Sequence, residues 1–394
     1  MEATTVDQGA SSSSSSSAGH DGQREEKLER PVCIVTGANT GIGKETALGM
    51  AAAGYHVLLA CRSKARGEEA AQDIRQALLE TKSKKKEEEP AKQGEEQEPS
   101  LEVMELDLSD LSSVRRFVHR FRKAHPKLHV LINNAGVVTA TRKENNAGLE
   151  LMFATNHLGP FLLTNMLLPS LQAASSAQDA PPARIVMVSS AAHAFCGPLK
   201  ESDEEKLLHA PHFTGTKSME VYGRSKLCNL LFTLELHHRL QAEGANNVII
   251  NAVHPGAVHT DLGRDAPWFV AWLVRPVSAL FFKTAAQGAK VSLFCALNRP
   301  LGEQKVSGRY FVNDKEAKTK PFAQDKEAAA LLWQWSERLA GWKWEERDSY
   351  DYDKEEEEKE EEEKEEEEKE EEKEEEEEKK DKQVEEKEEE ASEE

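Results

Sequence analysis

The stretch Thr36 to Lys44 reads TGANTGIGK. It follows the apolar run Pro31 to Val35 and leads into the helix-like Glu45 to Ala53. A strand, a glycine-rich turn and a helix in that order build a phosphate cradle, because Gly37, Gly41 and Gly43 let backbone N–H groups approach a pyrophosphate at the positive end of a helix. The spacing is G-x-x-x-G-x-G, unlike the G-x-G-x-x-G of the longer dinucleotide fingerprint. It also lacks the G-K-[ST] ending of a P-loop, since Glu45 follows Lys44. Kinase and ATPase readings lose ground at this point.

Downstream, apolar runs alternate with helical spacing. His56 to Ala60 is a short apolar run and Lys64 to Glu80 a helix with exposed charge. Thr81 to Ser100 is lysine, glutamate, proline and glutamine, and reads as a solvated loop inserted between helix and strand. Leu101 to Leu106 alternates as a strand, Ser109 to Ala124 is a capped helix, and Leu128 to Ile132 is a strand ending in Asn133-Asn134-Ala135-Gly136. Leu149 to Ala174 reads as a long helix interrupted near Gly159-Pro160, followed by the strand Arg184 to Val188 and a polar loop through Ser218. The helix Met219 to Ala242 precedes the strand Val248 to Val253, which runs into His254-Pro255-Gly256; Arg309 to Val312 and Lys326 to Leu339 are the last strand and helix. Strands reached through helices imply an α/β domain: a single Rossmann-type, doubly wound parallel sheet of about seven strands with helices on both faces.

This domain spans residues 29–344, with the 81–100 insertion, between a Ser-rich, acidic N-terminal segment, 1–28, and an acidic low-complexity tail, 345–394. The N-terminal segment reads as disordered, and the tail as a solubilising appendage whose Glu-Lys spacings are compatible with a helix. Asp353 to Glu394 holds 29 acidic residues against 9 lysines, so −20 of the net −21 lies in the tail and the folded part is near neutral. With no basic stripe, nucleic acid is not an expected partner. The N-terminal segment resembles neither a signal peptide nor a transit peptide, which makes a cytoplasmic or cytoplasm-facing location the expectation. Five scattered cysteines, Cys33, Cys61, Cys196, Cys228 and Cys295, suit reduced core thiols better than disulfides or zinc ligands, and no metal is indicated. The segment 267–282, PWFVAWLVRPVSALFF, has 16 residues and carries Arg275, short of the about 20 residues that cross a bilayer. It reads as a buried helix over the substrate or as a peripheral membrane contact, and the two are compatible if the substrate is a lipid.

Several positions can carry chemistry. An NAD enzyme usually places an acid at the end of the second strand, whereas this chain has Ala60-Cys61-Arg62, with Lys44 as a further cation. Two cations and no acid suit a 2′-phosphate and favour NADP over NAD; the alternative is that Arg62 is an ordinary surface arginine. Tyr222 and Lys226, in YGRSK, share a helix face, and an ammonium beside a phenol lowers a tyrosine pKa from about 10 toward the range of an acid/base. Alone, that spacing is equally that of an exposed helix face. Ser190 ends the fifth strand, where a parallel sheet presents residues to its crevice; its hydroxyl could hold a carbonyl oxygen or simply cap a turn. His254 orders the loop at Pro255, and His157, His193 and His259 are ligands only if they converge. A Ser-His-Asp hydrolase lacks its G-x-S-x-G elbow.

In order, TGANTGIG, NNAG at Asn133 to Gly136, Ser190 after its strand, YGRSK and the HPG turn at His254 to Gly256 resemble the short-chain dehydrogenases/reductases. The stretches TGANTGIGKETA, ACR, LDLSDL, INNAG, NHLGPFLLT, RIVMVSSAAH, SKLCNLLF, AVHPGAV and SGRYF resemble the retinol dehydrogenase subgroup from about Pro31 to Gly341. The resemblance implies Tyr222 as acid/base, Ser190 polarising the carbonyl, Lys226 lowering the Tyr222 pKa and binding the nicotinamide ribose, and Asn156 holding a relay water. It also implies cofactor contacts from Gly37, Asn39, Thr40, Gly41, Ile42, Gly43, Lys44 and Arg62. Further contacts would come from Asp107 and Leu108 at the adenine, Asn133, Asn134, Ala135 and Gly136 at the cofactor floor, and Pro255, Gly256, Val258 and Thr260 at the carboxamide and phosphates. The expected function is NADP-dependent interconversion of an apolar aldehyde or ketone and its alcohol, with Trp268, Phe269, Trp272, Phe281 and Phe282 lining an apolar mouth. A homodimer is a further expectation from the resemblance. The rival reading is an NADP-binding interaction protein whose acidic tail engages a basic partner.

Overall fold

The first strand, β1 (Val32–Thr36), is buried along nearly its whole length, as a near-continuous apolar run requires in a sheet covered on both faces. It belongs to a computed structural model that describes residues 30–88, 98–208, 212–258 and 283–347. The N-terminal segment, the acidic tail, the apolar segment 267–282, His259 and Thr260 lie outside the described residues.

The other strands are β2 (His56–Cys61), β3 (Ser100–Glu105), β4 (Val130–Asn133), β5 (Ala183–Val188), β6 (Val248–His254), β7 (Arg309–Val312) and β8 (Lys315–Glu316). They form one sheet in the order β3-β2-β1-β4-β5-β6-β7-β8. All neighbours are parallel except β7 and β8. The sheet is thus one strand larger than the sequence pattern indicates. The addition is a two-residue antiparallel edge in which Phe311 pairs with Glu316, too short to leave a periodicity. The order reverses between β1 and β4, which opens a crevice at their carboxyl ends.

One face of the sheet carries α1 (Gly41–Ala52), α2 (Lys64–Glu88) and α9 (Ala285–Leu297), packed on Val35, Val57, Leu59, Ile132 and Val253. The other carries α3 (Leu111–Ala124), α8 (Thr216–Ala242) and α11 (Lys326–Ala340). Helix α3 shows the rule at work: Asp110 accepts from Ser112 N at its start, and Val114, Phe117, Val118 and Phe121 form the buried stripe. Packing continues past Ala340, where Glu243 accepts from Trp344 Nε1 at 2.6 Å and from Arg347 at 2.7 Å.

Three stretches differ from the sequence reading. Helix α2 continues to Glu88, eight residues into the expected loop, because Thr81 to Glu88 contains good helix formers and neither glycine nor proline. The long helix after Leu149 is α4 (Leu151–Phe153), a π-helical turn Ala154–Leu158, α5 (Gly159–Met166) and α6 (Leu168–Ala174). The irregularity precedes Gly159 because Pro160 starts α5, where its missing N–H costs nothing. The polar loop before Ser218 contains short helical turns at Ala191–Phe195 and Glu201–Asp203, then α7 (Glu204–Leu208).

Candidate active site

The turn after β1 begins with Gly37 at φ 65°, a left-handed conformation that favours glycine, and its N–H donates to Ala60 O at 2.8 Å. A Cβ on Gly43 would collide with the Gly37 carbonyl oxygen, so the first turn of α1 closes directly on the loop. The ends of β1 and β4 are tied together across the reversal. Thr36 Oγ1 accepts from Asn134 N at 3.0 Å and Ala135 N at 2.9 Å, while Asn134 Nδ2 donates to Thr36 O at 2.9 Å. Asn133 donates to Thr164 Oγ1 at 2.8 Å, and its Oδ1 is buried with no partner among the described residues.

Beside the turn, a cavity of about 370 Å³ is lined by Asn39, Thr40, Lys44, Arg66, Glu69, Ala70 and Asp73. Lys44 faces it but forms an ion pair with Asp73, so its charge is partly compensated. Arg62 is exposed, next to this region. Arg66 is a cation the sequence reading missed. Its signal was its place on the first turn of α2, two residues after Lys64.

The crevice gathers the four expected catalytic residues. Ser190 caps the turn Ala191–Phe195, accepting from Ala192 N at 3.1 Å, and its hydroxyl acts on the Tyr222 phenol to oppose the upward push of burial. Both His193 N, at 3.2 Å, and His193 Nδ1, at 2.7 Å, lie against Ser190 O, so that histidine positions the serine turn. Tyr222 is buried on α8, which approaches the serine turn so closely that a Cβ on Gly223 would strike Ala192 O. Lys226, one turn on, places Nζ 5.7 Å from the centre of the Tyr222 ring and donates to Val188 O at 3.0 Å. A Cβ on Gly136 would lie 3.2 Å from both Lys226 Nζ and Asn156 Oδ1, so these two side chains converge over one glycine.

Asn156 sits in the π-helical turn, fully buried. Its Oδ1 accepts from Val137 N at 2.7 Å, and its Nδ2 donates to Val137 O and Ser225 Oγ, each at 3.0 Å. The amide is therefore spent on fixing the loop after β4. A π turn interrupts regular helical bonding and is frequent at functional sites.

The electrostatics depart from the expected lowering of the tyrosine. Burial pushes the Tyr222 phenol up to about 12, opposed by the Ser190 hydrogen bond. Burial also pulls Lys226 down to about 8. The lysine thus pays the same desolvation penalty as the phenol and does not by itself make Tyr222 acidic. Around the ring, Met152, Ala192 and Phe213 form a small apolar cluster with Val137, Val138 and Val221.

Other expected cofactor positions rim the same crevice. Asp107 holds Ser109 N at 2.9 Å through Oδ1, and a Cβ on Gly159 would strike the Leu108 carbonyl oxygen, so α5 abuts this loop. Pro255 O accepts from Lys283 Nζ at 3.2 Å, Gly256 adopts φ 93°, and Val258 bridges Lys283. Burial, with Lys283 and His193 nearby, pulls His254 down to about 4. His157 is elsewhere, in the helical layer against Phe153, Phe161 and Phe232.

A parallel sheet with a glycine cradle at its order reversal and a serine, tyrosine and lysine at the adjoining strand end defines a nucleotide-dependent oxidoreductase class. The family model described as short chain dehydrogenase matches residues 31–84 and 77–199. The chain is 39% identical over 315 residues to human dehydrogenase/reductase SDR family member 13, covering 80% of this chain and 74% of that protein. It is 40% identical over 317 residues to mouse retinol dehydrogenase 12, covering 80% and 87%. Among solved structures, an uncharacterised protein from Mycobacterium paratuberculosis aligns with TM-score 0.57 and 31% identity over 80% of this chain and 95% of that one. A Pseudomonas aeruginosa RhlG/NADP active-site complex shares the fold, with TM-score 0.51 and 20% identity over 73% and 96%. The chain belongs to the short-chain dehydrogenase family, among oxidoreductases related to the retinol dehydrogenases.

That family binds a nicotinamide cofactor, and the residues fit one. Gly43 lets α1 close directly on the Gly37 turn, and α1 begins at Gly41 with no acid in its first turn to repel a phosphate.

Proposed function

We propose that the protein is an NADP-dependent reductase of apolar aldehydes or ketones, acting reversibly on the corresponding alcohols. The observation that carries this reading is the convergence of Tyr222 in an apolar cluster with Lys226 Nζ 5.7 Å from its ring, on a helix that abuts the turn capped by Ser190. A bound nicotinamide supplies hydride to the carbonyl carbon. Ser190 and Tyr222 hold the carbonyl oxygen with two hydroxyl donors, and Tyr222 delivers the proton to it. Lys226 carries positive charge at the tyrosine and would bond the ribose of a bound cofactor, while Asn156 fixes the loop Gly136–Val137 beside it.

The preference for NADP is supported by Arg66 and Lys44, which line the cavity beside Asn39 and Thr40, and by the exposed Arg62 at the end of β2. The Lys44–Asp73 pair weakens the lysine's share, so the arginines carry most of it. An apolar substrate is supported by Phe195, 68% exposed on the turn after Ser190, and Met219, 41% exposed one turn before Tyr222. Location belongs to the same reading: no helix among the described residues is long and apolar enough to cross a membrane, and the segment 267–282 is the proposed membrane or substrate contact. The test is a panel of retinal and long- and short-chain aldehydes with NADPH and NADH. Oxidation of NADPH with the apolar members supports the reading. Turnover near the wild-type rate in Tyr222→Phe sinks the mechanism, and equal use of NADH sinks the cofactor assignment.

A further inference from the structure

At the amino end of the sheet, opposite the crevice, three side chains from distant parts of the chain meet. His56 opens β2 and pairs in register with Ser100, which opens β3. Ser100 and Glu102 point to one face of β3, the face that α3 covers, and His125 is the C-cap of α3. His56 Nε2 lies 3.2 Å from Glu102 Oε2, and His125 Nε2 lies 2.9 Å from the same oxygen. The rings are 5.0 Å apart, and the three ligand atoms all fall within 4.8 Å of one another.

The hydrogen bonding around the trio points to what it holds. Ser100 Oγ sits 2.7 Å from His56 Nδ1, and when it accepts that proton the Nε2 lone pair faces the carboxylate. In that tautomer the neutral imidazole and the carboxylate turn lone pairs toward one another, an opposition that a cation between them would relieve; in the other, Nε2–H donates to Glu102. The C-terminal end of α3, with its negative dipole end, adds to the attraction for positive charge. Bonds of about 2.0–2.2 Å set tetrahedral ligand atoms about 3.3 Å apart; Glu102 Oε2 lies 3.2 Å from His56 Nε2 and 2.9 Å from His125 Nε2.

We propose that His56, Glu102 and His125 bind a divalent transition cation, with zinc the best match to two imidazoles and one carboxylate. The half-exposed Glu102 side chain leaves water access for the fourth position. Such an ion would fasten β2, β3 and the end of α3 together, immediately after the insertion that leads into β3. It would act on stability and not on the chemistry at the other end of the sheet.

The test uses the full-length, tag-free chain stripped with a chelator, then titrated with Zn²⁺ in competition with a fluorescent chelator and with Co²⁺ followed by its visible absorption. One site per chain is expected, with a zinc-dependent rise in Tm. In His125→Gln and Glu102→Gln, affinity should fall at least about tenfold and the Tm rise should vanish, and Ser100→Ala should weaken binding by about 10–100-fold through the lost second hydrogen bond. Circular dichroism and NADPH binding check that each variant folds, and a variant that fails this check is replaced by His56→Gln. Zinc affinity equal in wild type and variants, or only weak uptake at several sites, overturns the proposal. So does a cluster that takes up protons but no metal.

Discussion

The carboxyl rim of the sheet and the helical layer beside it both bury titratable side chains, and the two regions use burial in opposite ways. In the layer, His157 is enclosed by Phe153, Phe161 and Phe232, with Nε2 2.8 Å from Ser336 Oγ, and burial pulls it down to about 3. Trp333 stacks on Phe232 at 5.8 Å, and the Arg239 guanidinium lies 4.3 Å over the Trp333 ring. Every group there serves packing. At the rim, Lys226 reaches a carbonyl oxygen and an aromatic face but no carboxylate among the described residues, and Tyr222 keeps only the Ser190 hydroxyl. The layer leaves buried polar atoms such as His157 Nδ1 and Trp333 Nε1 without a partner among the described residues but keeps its ionisable groups neutral or stacked on rings, whereas the rim buries an ammonium and a phenol side by side.

The comparison breaks most sharply at Tyr222 and Trp333. Tyr222→Phe should lower carbonyl reduction by about 10²–10⁴-fold with little change in Tm. Trp333→Ala should cost about 3–5 kcal/mol in urea unfolding and leave the kcat of the folded fraction near wild type. A Tyr222→Phe protein that loses stability instead of rate would erase the distinction.

Smaller effects sharpen it through pH. Lys226 loses its charge above about 8, so kcat/KM for reduction should fall about tenfold per pH unit above that value, and Lys226→Met should be slower with the fall abolished. In the same side chain, the unfolded chain holds its proton to 10.5 and the folded chain only to about 8. Stability therefore rises with pH from 8 until Tyr222, which ionises at 10.0 when unfolded and at about 12 when folded, opposes it above 10. For His157 the unfolded chain binds a proton below 6.5 and the folded chain only below about 3, so stability drops as pH falls through that window. Urea unfolding across the two windows should show His157→Gln flattening the acid limb only and Lys226→Met the alkaline limb only.

Much of the rim was legible because its parts are local signals at strand ends. The glycine turn, NNAG, Ser190 and the Tyr222–Lys226 pair each lie within a few residues of a strand or on one helix face. What escaped reading has no such neighbourhood. The bond from Asn156 to Ser225 spans 69 positions, and the grip of His193 on Ser190 looked like a lone histidine before a turn. The His56–Glu102–His125 cluster joins residues 46 and 23 positions apart, with none of the spacing that marks a metal site in a sequence. Helix α2 overran the expected loop because glutamate and lysine serve a helix as readily as a solvated coil.

Periodicity, turn chemistry and the order of motifs are properties of near neighbours, and they sufficed for the alternation of strands and helices, the parallel sheet and the glycine turn at its order reversal. Charge state, hydrogen-bond allegiance and the pairing of Lys44 with Asp73 depend on which distant residues share a cavity and how much water is excluded. Desolvation is a property of the packed whole, which is why Tyr222 and Lys226 could be named from the chain while their shifts in opposite directions emerged only once α8 was packed against β5 and the serine turn.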